Sequence, residues 1–160
     1  MNKISILMGS QSDLDTVKET VAVLKDFKVG FEIKVLSAHR TPKELARYVE
    51  GAPKRGVKVF IAAAGMSAAL AGVIAAHTIL PVIGIPIESK TLKGLDSLLS
   101  TVQMPPGVPV ASMAIGRAGA KNAAIFALEI LGTADNKIQA KLAVFKKEMA
   151  AKIRAIKFKA

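Results

Sequence analysis

Cysteine and tryptophan are both absent from these 160 residues. Without cysteine the chain can form no disulfide and offers no thiol nucleophile, which agrees with a reducing compartment. With no thiolate and only two histidines, His39 and His77, it also lacks the usual ligand set of a structural zinc site. Aromatic residues make up 4% against 51% apolar residues, so the core is built mainly from Ala, Val, Ile and Leu. No uninterrupted hydrophobic run is long enough to span a bilayer, which takes roughly 18 residues. The longest candidate, 57–87, contains Lys58, Gly65, Gly72, His77 and Pro81. Asp13 and Asp15 follow a single short apolar run, unlike the basic-then-apolar layout of a signal peptide. The expectation is a cytoplasmic chain with no membrane partner.

Acidic residues are the scarcer charge: 12 against 23 Lys and Arg, a formal net charge of +11. Much of the excess lies in the tail, where eight Lys or Arg residues from Lys137 onward face the single acid Glu148. They are spread over a helical pattern whose apolar positions include Ile138, Leu142, Phe145, Met149 and Ile153. A solvated helix face accounts for them, and no recognised nucleic-acid module accompanies them, so no nucleic-acid partner is expected.

At this length one domain with a sizeable core is expected, covering residues 1–160. Five apolar, β-branched runs occur at about 3–8, 31–36, 57–63, 82–87 and 108–113. Helical or alanine-rich stretches separate them, at 13–27, 42–54, 67–78, 93–101 and 118–131. Such alternation predicts a parallel sheet covered by helices on both faces. The third and fourth runs are almost wholly apolar, as central strands are. A last helix over 135–157 has no strand left to cover, so it is expected to pack on a neighbouring subunit or to reach back across the domain. Residues 94–109 are the least regular stretch, with Pro105-Pro106-Gly107 forcing a turn, and suggest a substrate-contacting loop.

Chemistry-bearing residues concentrate where strands give way to helices. Met8-Gly9-Ser10-Gln11-Ser12-Asp13 follows the first strand and Ser37-Ala38-His39-Arg40-Thr41-Pro42 the second. In open α/β folds such turns share the end of the sheet where ligands bind, and a helix start there suits phosphate. Gly9 would allow a tight turn and close backbone approach, Ser10 and Ser12 can donate hydrogen bonds, and Asp13 can accept from a ribose diol. Equally, capping the next helix is sufficient reason for Ser12 or Asp13 at this position. His39 can carry a proton near neutral pH and Arg40 a permanent charge suited to phosphate, although a lone histidine can also be structural. His77 ends the alanine-rich helix, away from these turns, and reads as a C-terminal cap. The stretch from Ala63 through Gly65, Met66 and Ser67 to Gly72 runs from strand into helix on very small residues. These permit either close packing or backbone amides lining a ligand.

Taken together, the motifs resemble the 5-(carboxyamino)imidazole ribonucleotide mutases of purine biosynthesis, also described as the catalytic subunit of phosphoribosylaminoimidazole carboxylase. Besides the two turns, the similar segments are Leu80 to Pro86, Gly94 to Pro105, Gly107 to Val110 and Lys121-Asn122-Ala123-Ala124. The resemblance covers nearly the whole chain in order. It implies an α/β fold, a three-layer α/β/α sandwich with a parallel, flavodoxin-like sheet and a C-terminal helix. It also implies a homo-octamer with sites at subunit contacts and no metal or organic cofactor. The substrate would be a small phosphoribosyl imidazole, its phosphate near Ser10, Ser12 and Arg40 and its ribose near Asp13. Ser37, Ala38 and His39 would surround the imidazole, with His39 as the catalytic proton carrier. Gly9, Gly65, Met66 and Ser67 would complete the substrate-binding set.

One loop departs from the mutase pattern, which usually reads Gly-Gly-Ala-Ala-His-Leu-Pro-Gly after the third strand. Here Met66-Ser67-Ala68-Ala69-Leu70-Ala71-Gly72 stands instead, with Ala69 in the place of the second histidine. The carboxylase branch, which uses aminoimidazole ribonucleotide and free carbon dioxide, has a Ser-x-Ala-Leu-x-Gly pattern similar to Ser67 through Gly72. Arg40-Thr41-Pro42 and the region from Gly94 to Ala124 match the mutase branch better. The expected activity is the mutase, with the carboxylase as the alternative and a non-catalytic phosphoribosyl sensor as an alternative of another class.

Overall fold

The computed structural model describes residues 3–158. The chain divides into two compact units, 1–127 and 128–160.

In the first unit five parallel strands form one sheet in the order β2-β1-β3-β4-β5. They are β1 (Ile4–Met8), β2 (Phe31–Val35), β3 (Val59–Gly65), β4 (Val82–Ile87) and β5 (Ala111–Ser112). This is the flavodoxin-like order, which reverses direction between β1 and β3. Helices α1 (Leu14–Asp26), α2 (Pro42–Glu50), α3 (Leu70–Ala76), α4 (Leu95–Val102) and α5 (Gly116–Gly132) follow the strands in turn. The predicted three-layer architecture is the observed one.

Side chains alternate across the sheet. Leu7, Phe60, Ala62 and Val82 face α2 and α3, packing with Leu45, Val49, Leu70 and Ile74. On the opposite face α1 and α5 meet, where the buried Thr20 hydroxyl donates to the Ala120 carbonyl at 2.7 Å. Ala120, Ala123, Ala124 and Ala127 are buried along α5, which explains its small residues as close packing.

Two strands carry residues that ordinarily weaken a sheet. In β4 the Gly84 and Pro86 backbones point to the same side, towards β5. That ladder ends at the Gly84–Ser112 pairing, so Pro86 forfeits no hydrogen bond. Gly84 lets α4 lie close: a Cβ there would come within 2.3 Å of Thr101 Cγ2. The exposed edge strand β2 is braced at Glu32, which accepts from Arg55 Nη2 at 2.9 Å and from the Tyr48 hydroxyl at 2.5 Å. The Arg55 guanidinium also stacks 4.2 Å over the Tyr48 ring. Burial pushes the Glu32 carboxyl up, but its Arg55 and Tyr48 partners outweigh that and hold it below the usual carboxylate range.

Several boundaries differ from expectation. The helix predicted over 42–54 stops at Glu50, because Pro53 cannot continue it, and a short 3-10 turn, Pro53–Arg55, follows. The fifth strand shrinks to two residues, since Pro105, Pro106 and Pro109 supply no ladder donors before it. The third strand runs on to Gly65, and residues 66–69 form a turn in which the Ala69 amide donates to the Ser67 carbonyl at 2.8 Å. The helix expected from 67 therefore begins only at Leu70.

In the second unit the last turn of α5 leads through Thr133, whose hydroxyl caps the Ile130 carbonyl, to α6 (Asn136–Arg154). Asp135 caps α6, accepting from the Lys137 and Ile138 amides. Ile138 and Leu142 are buried, Lys146 pairs with Glu129 at 2.9 Å, and Val144, Met149 and Ile153 are exposed.

Candidate active site

Parallel strands deliver their following loops to one edge, and there a cleft of about 950 Å³ opens. Its walls come from the carboxyl ends of β1, β2, β3 and β4. Gly9, Ser10, Ser12 and Asp13 enter from β1, Ser37, Ala38, His39 and Arg40 from β2, and Gly65, Met66 and Ser67 from β3. All eleven residues singled out in the sequence thus share one cavity, spanning the β1/β3 reversal.

The first turn is a reciprocal cap. Ser10 Oγ accepts from the Ser12 amide at 3.3 Å, and Asp13 Oδ2 accepts from the Ser10 amide at 3.2 Å. Ser12 Oγ donates to Ser10 Oγ at 3.0 Å and lies 3.3 Å from Asp13 Oδ1. The capped element is the 3-10 turn Gln11–Asp13; Asp13 makes no side-chain cap to α1 itself. Asp13 is 7% exposed, and its burial raises the carboxyl above its ordinary value, offset in part by the Ser12 hydroxyl, the Ser10 amide and the Arg40 charge. Gly9 departs from the sequence reading. Its φ is not positive, and a Cβ would meet Ala64, Asp13 and the Ala63 carbonyl at ordinary contact distances of 3.8, 3.9 and 4.0 Å. The tight turn does not require glycine there.

The second turn is tied to the first. Arg40 Nη2 donates to the Gly9 carbonyl at 3.0 Å, and its Nε and backbone amide both reach Ser37 Oγ, at 3.3 and 3.2 Å. Thr41 Oγ1 accepts from the Ser37 amide at 2.9 Å and closes the loop onto the Pro42 start of α2. His39 is exposed at the tip of this turn, and its imidazole has no hydrogen-bond partner among the described residues. The ring is available to a ligand.

On the third turn Met66 holds a left-handed backbone, φ +58°, and is 69% exposed at the cleft mouth. Ala64, Ala69, Leu70 and Ile87 give the cleft a small apolar wall. His77 caps α3 and lies 3.2 Å from Glu50, outside the cleft, as its sequence position predicts.

The fourth wall comes from a segment that the sequence reading did not single out. Within the expected 94–109 loop only Asp96 lines the cleft; the wall is instead Ile87 to Leu92, between β4 and α4. Residues 95–102 are helix, and the proline turn beyond them does not line the cleft. The signal was available: Glu88-Ser89-Lys90-Thr91 follows a strand just as the other turns do.

A family model described as AIR carboxylase matches residues 3–152 of the chain. The protein belongs to the AIR carboxylase family. Among its relatives is the N5-carboxyaminoimidazole ribonucleotide mutase of Pyrococcus abyssi, 56% identical over 149 residues, which cover 93% of this chain and 84% of the relative. The enzyme of the same name from Bacillus subtilis is 52% identical over 139 residues, covering 87% and 86%. The crystal structure of Treponema denticola PurE superposes with a TM-score of 0.86 at 28% identity, covering 96% of this chain and 94% of that one. Ala69 lines the cleft, and His39 is the only histidine among the described residues that does so.

Proposed function

We propose that this member of the family interconverts N5-carboxyaminoimidazole ribonucleotide and 5-amino-1-(5-phosphoribosyl)imidazole-4-carboxylate, a step of purine biosynthesis. The observation that carries this reading is one unpartnered imidazole, His39, beside a corner of hydroxyls, a carboxylate and a guanidinium at the β1/β3 reversal. Arg40, Ser10 and Ser12 suit the phosphate of the substrate, and Asp13 its ribose diol. Ser37 and Ala38 flank the ring with His39.

The chemistry needs a single mobile proton. The carbamate C–N bond breaks and carbon dioxide is freed, leaving an electron-rich ring. Carbon 4 attacks the trapped carbon dioxide, forming the new C–C bond and a tetrahedral carbon. His39 removes the proton from that carbon, restoring aromaticity, and the proton is returned to the exocyclic nitrogen. Atoms balance without a co-reactant. Ala64, Gly65, Ala69, Leu70 and Ile87 form a wall suited to holding carbon dioxide while the ring turns its carbon towards it.

A second reading rests on Ala69 and the Ser67-x-Ala-Leu-x-Gly run: a carboxylase (a lyase in reverse) acting on aminoimidazole ribonucleotide and free carbon dioxide. Ultraviolet spectra recorded with the carboxyamino nucleotide, or with the amino nucleotide plus bicarbonate, separate the two. Faster turnover of the carboxyamino nucleotide is expected; preference for the other pair assigns the carboxylase, and no turnover of either removes the enzymatic reading.

The proposal extends to assembly. Leu92, Leu95, Leu99 and Val102 are all about half exposed along α4 and the loop before it, and Val144, Met149 and Ile153 are exposed along α6. Such surface supports contacts between subunits, and the assembly proposed on them is a homo-octamer of single-domain catalytic subunits with the 135–157 helix packed between them. None of the described helices is long and apolar enough to cross a membrane. A cytoplasmic location fits the small-molecule substrate.

A further inference from the structure

The cleft has two charged walls, and the reaction as read above uses only one. Arg40 belongs to the hydroxyl-rich corner made by the β1 and β2 turns, anchored by Gly9 and Ser37. Across the cleft, the β4–α4 loop brings Glu88, Lys90 and Thr91 to the lining. Among the described residues, the side chains of these three make no hydrogen bond or ion pair.

The loop that carries them is itself well anchored. Ser89 Oγ reaches both carboxylate oxygens of Asp96 at 3.2 Å, and the Lys93 amide donates to the Ser89 carbonyl at 3.0 Å. Asp96 also accepts from the Ser97 amide at 2.9 Å. The buried Ser97 hydroxyl lies 2.8 Å from the Ile87 carbonyl and 2.9 Å from that of Gly94. Gly94 has φ +87°, and a Cβ there would strike Ile115 at 2.6 Å, so the turn back into α4 requires glycine. Asp96 is therefore occupied, and Lys90 is the cation that this wall has to offer a ligand.

We propose that Lys90 is a specificity-determining residue that recognises the substrate carboxylate and so favours the carboxylated nucleotide over its amino counterpart. The inference rests on the reading given under Proposed function and deepens it. A phosphoribosyl imidazole carboxylate carries two anions separated by a sugar and a ring. The cleft likewise offers two cations on separate walls, Arg40 and Lys90. Glu88 sharpens the dependence: without Lys90 the only free charge on that wall is negative, and it repels a carboxylate.

The test compares Lys90→Ala and Lys90→Arg with the unmodified protein. Turnover of the carboxyamino nucleotide gives KM and kcat, and competition gives the affinity of the amino nucleotide, which lacks the carboxylate. Lys90→Ala should raise KM for the carboxyamino nucleotide about tenfold, with the loss falling on KM rather than kcat, and leave amino-nucleotide affinity within about twofold. Lys90→Arg should restore most of the KM. An unchanged KM in Lys90→Ala, or equal weakening of both nucleotides, overturns the proposal. If the unmodified protein does not turn over the carboxyamino nucleotide, it is the reaction that fails; binding of the two nucleotides by calorimetry then judges Lys90 by the same difference in affinity.

Discussion

Arg40 and Gly9, thirty-one residues apart, are joined by a 3.0 Å hydrogen bond from a guanidinium nitrogen to a backbone carbonyl. That bond couples the turns after β1 and β2, whose hydroxyls and carboxylate line one corner. Arg40 is thereby both a charge offered to a ligand and the tie that fixes the corner's shape.

Arg40→Ala should weaken binding of the phosphoribosyl nucleotide about thirtyfold, since a charge-assisted bond to phosphate contributes about 2 kcal/mol. Ser12→Ala should cost less, because Ser12 offers a neutral hydroxyl. Isothermal calorimetry decides this, and unchanged affinity in both variants would remove the phosphate assignment.

His39 has no partner within the described residues, so replacing it leaves nothing unsatisfied. His39→Asn should keep the melting temperature and nucleotide affinity of the parent while turnover falls by at least about a hundredfold. Most of the activity surviving in that variant would end the proton-carrier role.

Asp13 makes a pH-dependent prediction. Burial raises its carboxyl above the ordinary value of 3.8, so the folded protein holds this proton more tightly than the unfolded chain does. The stabilisation from its neutral form is fully present below 3.8 and is lost as pH rises through the higher folded value. At neutral pH the ionised, buried Asp13 therefore opposes folding. Asp13→Asn can keep both local hydrogen bonds, through its carbonyl to the Ser10 amide and its amide to Ser12 Oγ. The variant should melt roughly 1–3 °C higher than the parent at pH 7, and the gap should close as pH falls to the ordinary carboxylate range. A gap that widens in acid would show that Asp13 is stabilising as the anion.

The sheet and its helices were legible because period and composition agree. Ile4 to Leu7, Val57 to Ala63 and Val82 to Ile87 are apolar runs that only buried strands explain, and α1 shows its stripe at Val17, Thr20 and Leu24. The site residues were legible for a related reason: a parallel sheet sends every strand-end turn to one edge. What escaped depended on contacts between distant residues. Nothing local to Gly84 reveals that Thr101 sits on it, and nothing in Glu32 announces Arg55. Proline misled twice, once by cutting the helix at Glu50 and once by drawing attention to Pro105 rather than to the turn after Ile87. At Gly9 the residue type suggested a tight turn that needs glycine, and the backbone there has no positive φ.

Gly84 and Thr101 also bear on how a chain of this kind can change. The missing carbon at Gly84 lets α4 settle onto the sheet with Thr101 against it, and the Ser97 hydroxyl anchors the helix there by donating to the Ile87 carbonyl at the end of β4. The height of the loop before α4 is thus set deep in the core, by residues that never meet a ligand. Positions 88, 90 and 91 hang from this mounting with no structural duty of their own. Side chains there can be exchanged like fittings on a fixed bracket, so a descendant could acquire a different ligand preference without relearning how to fold.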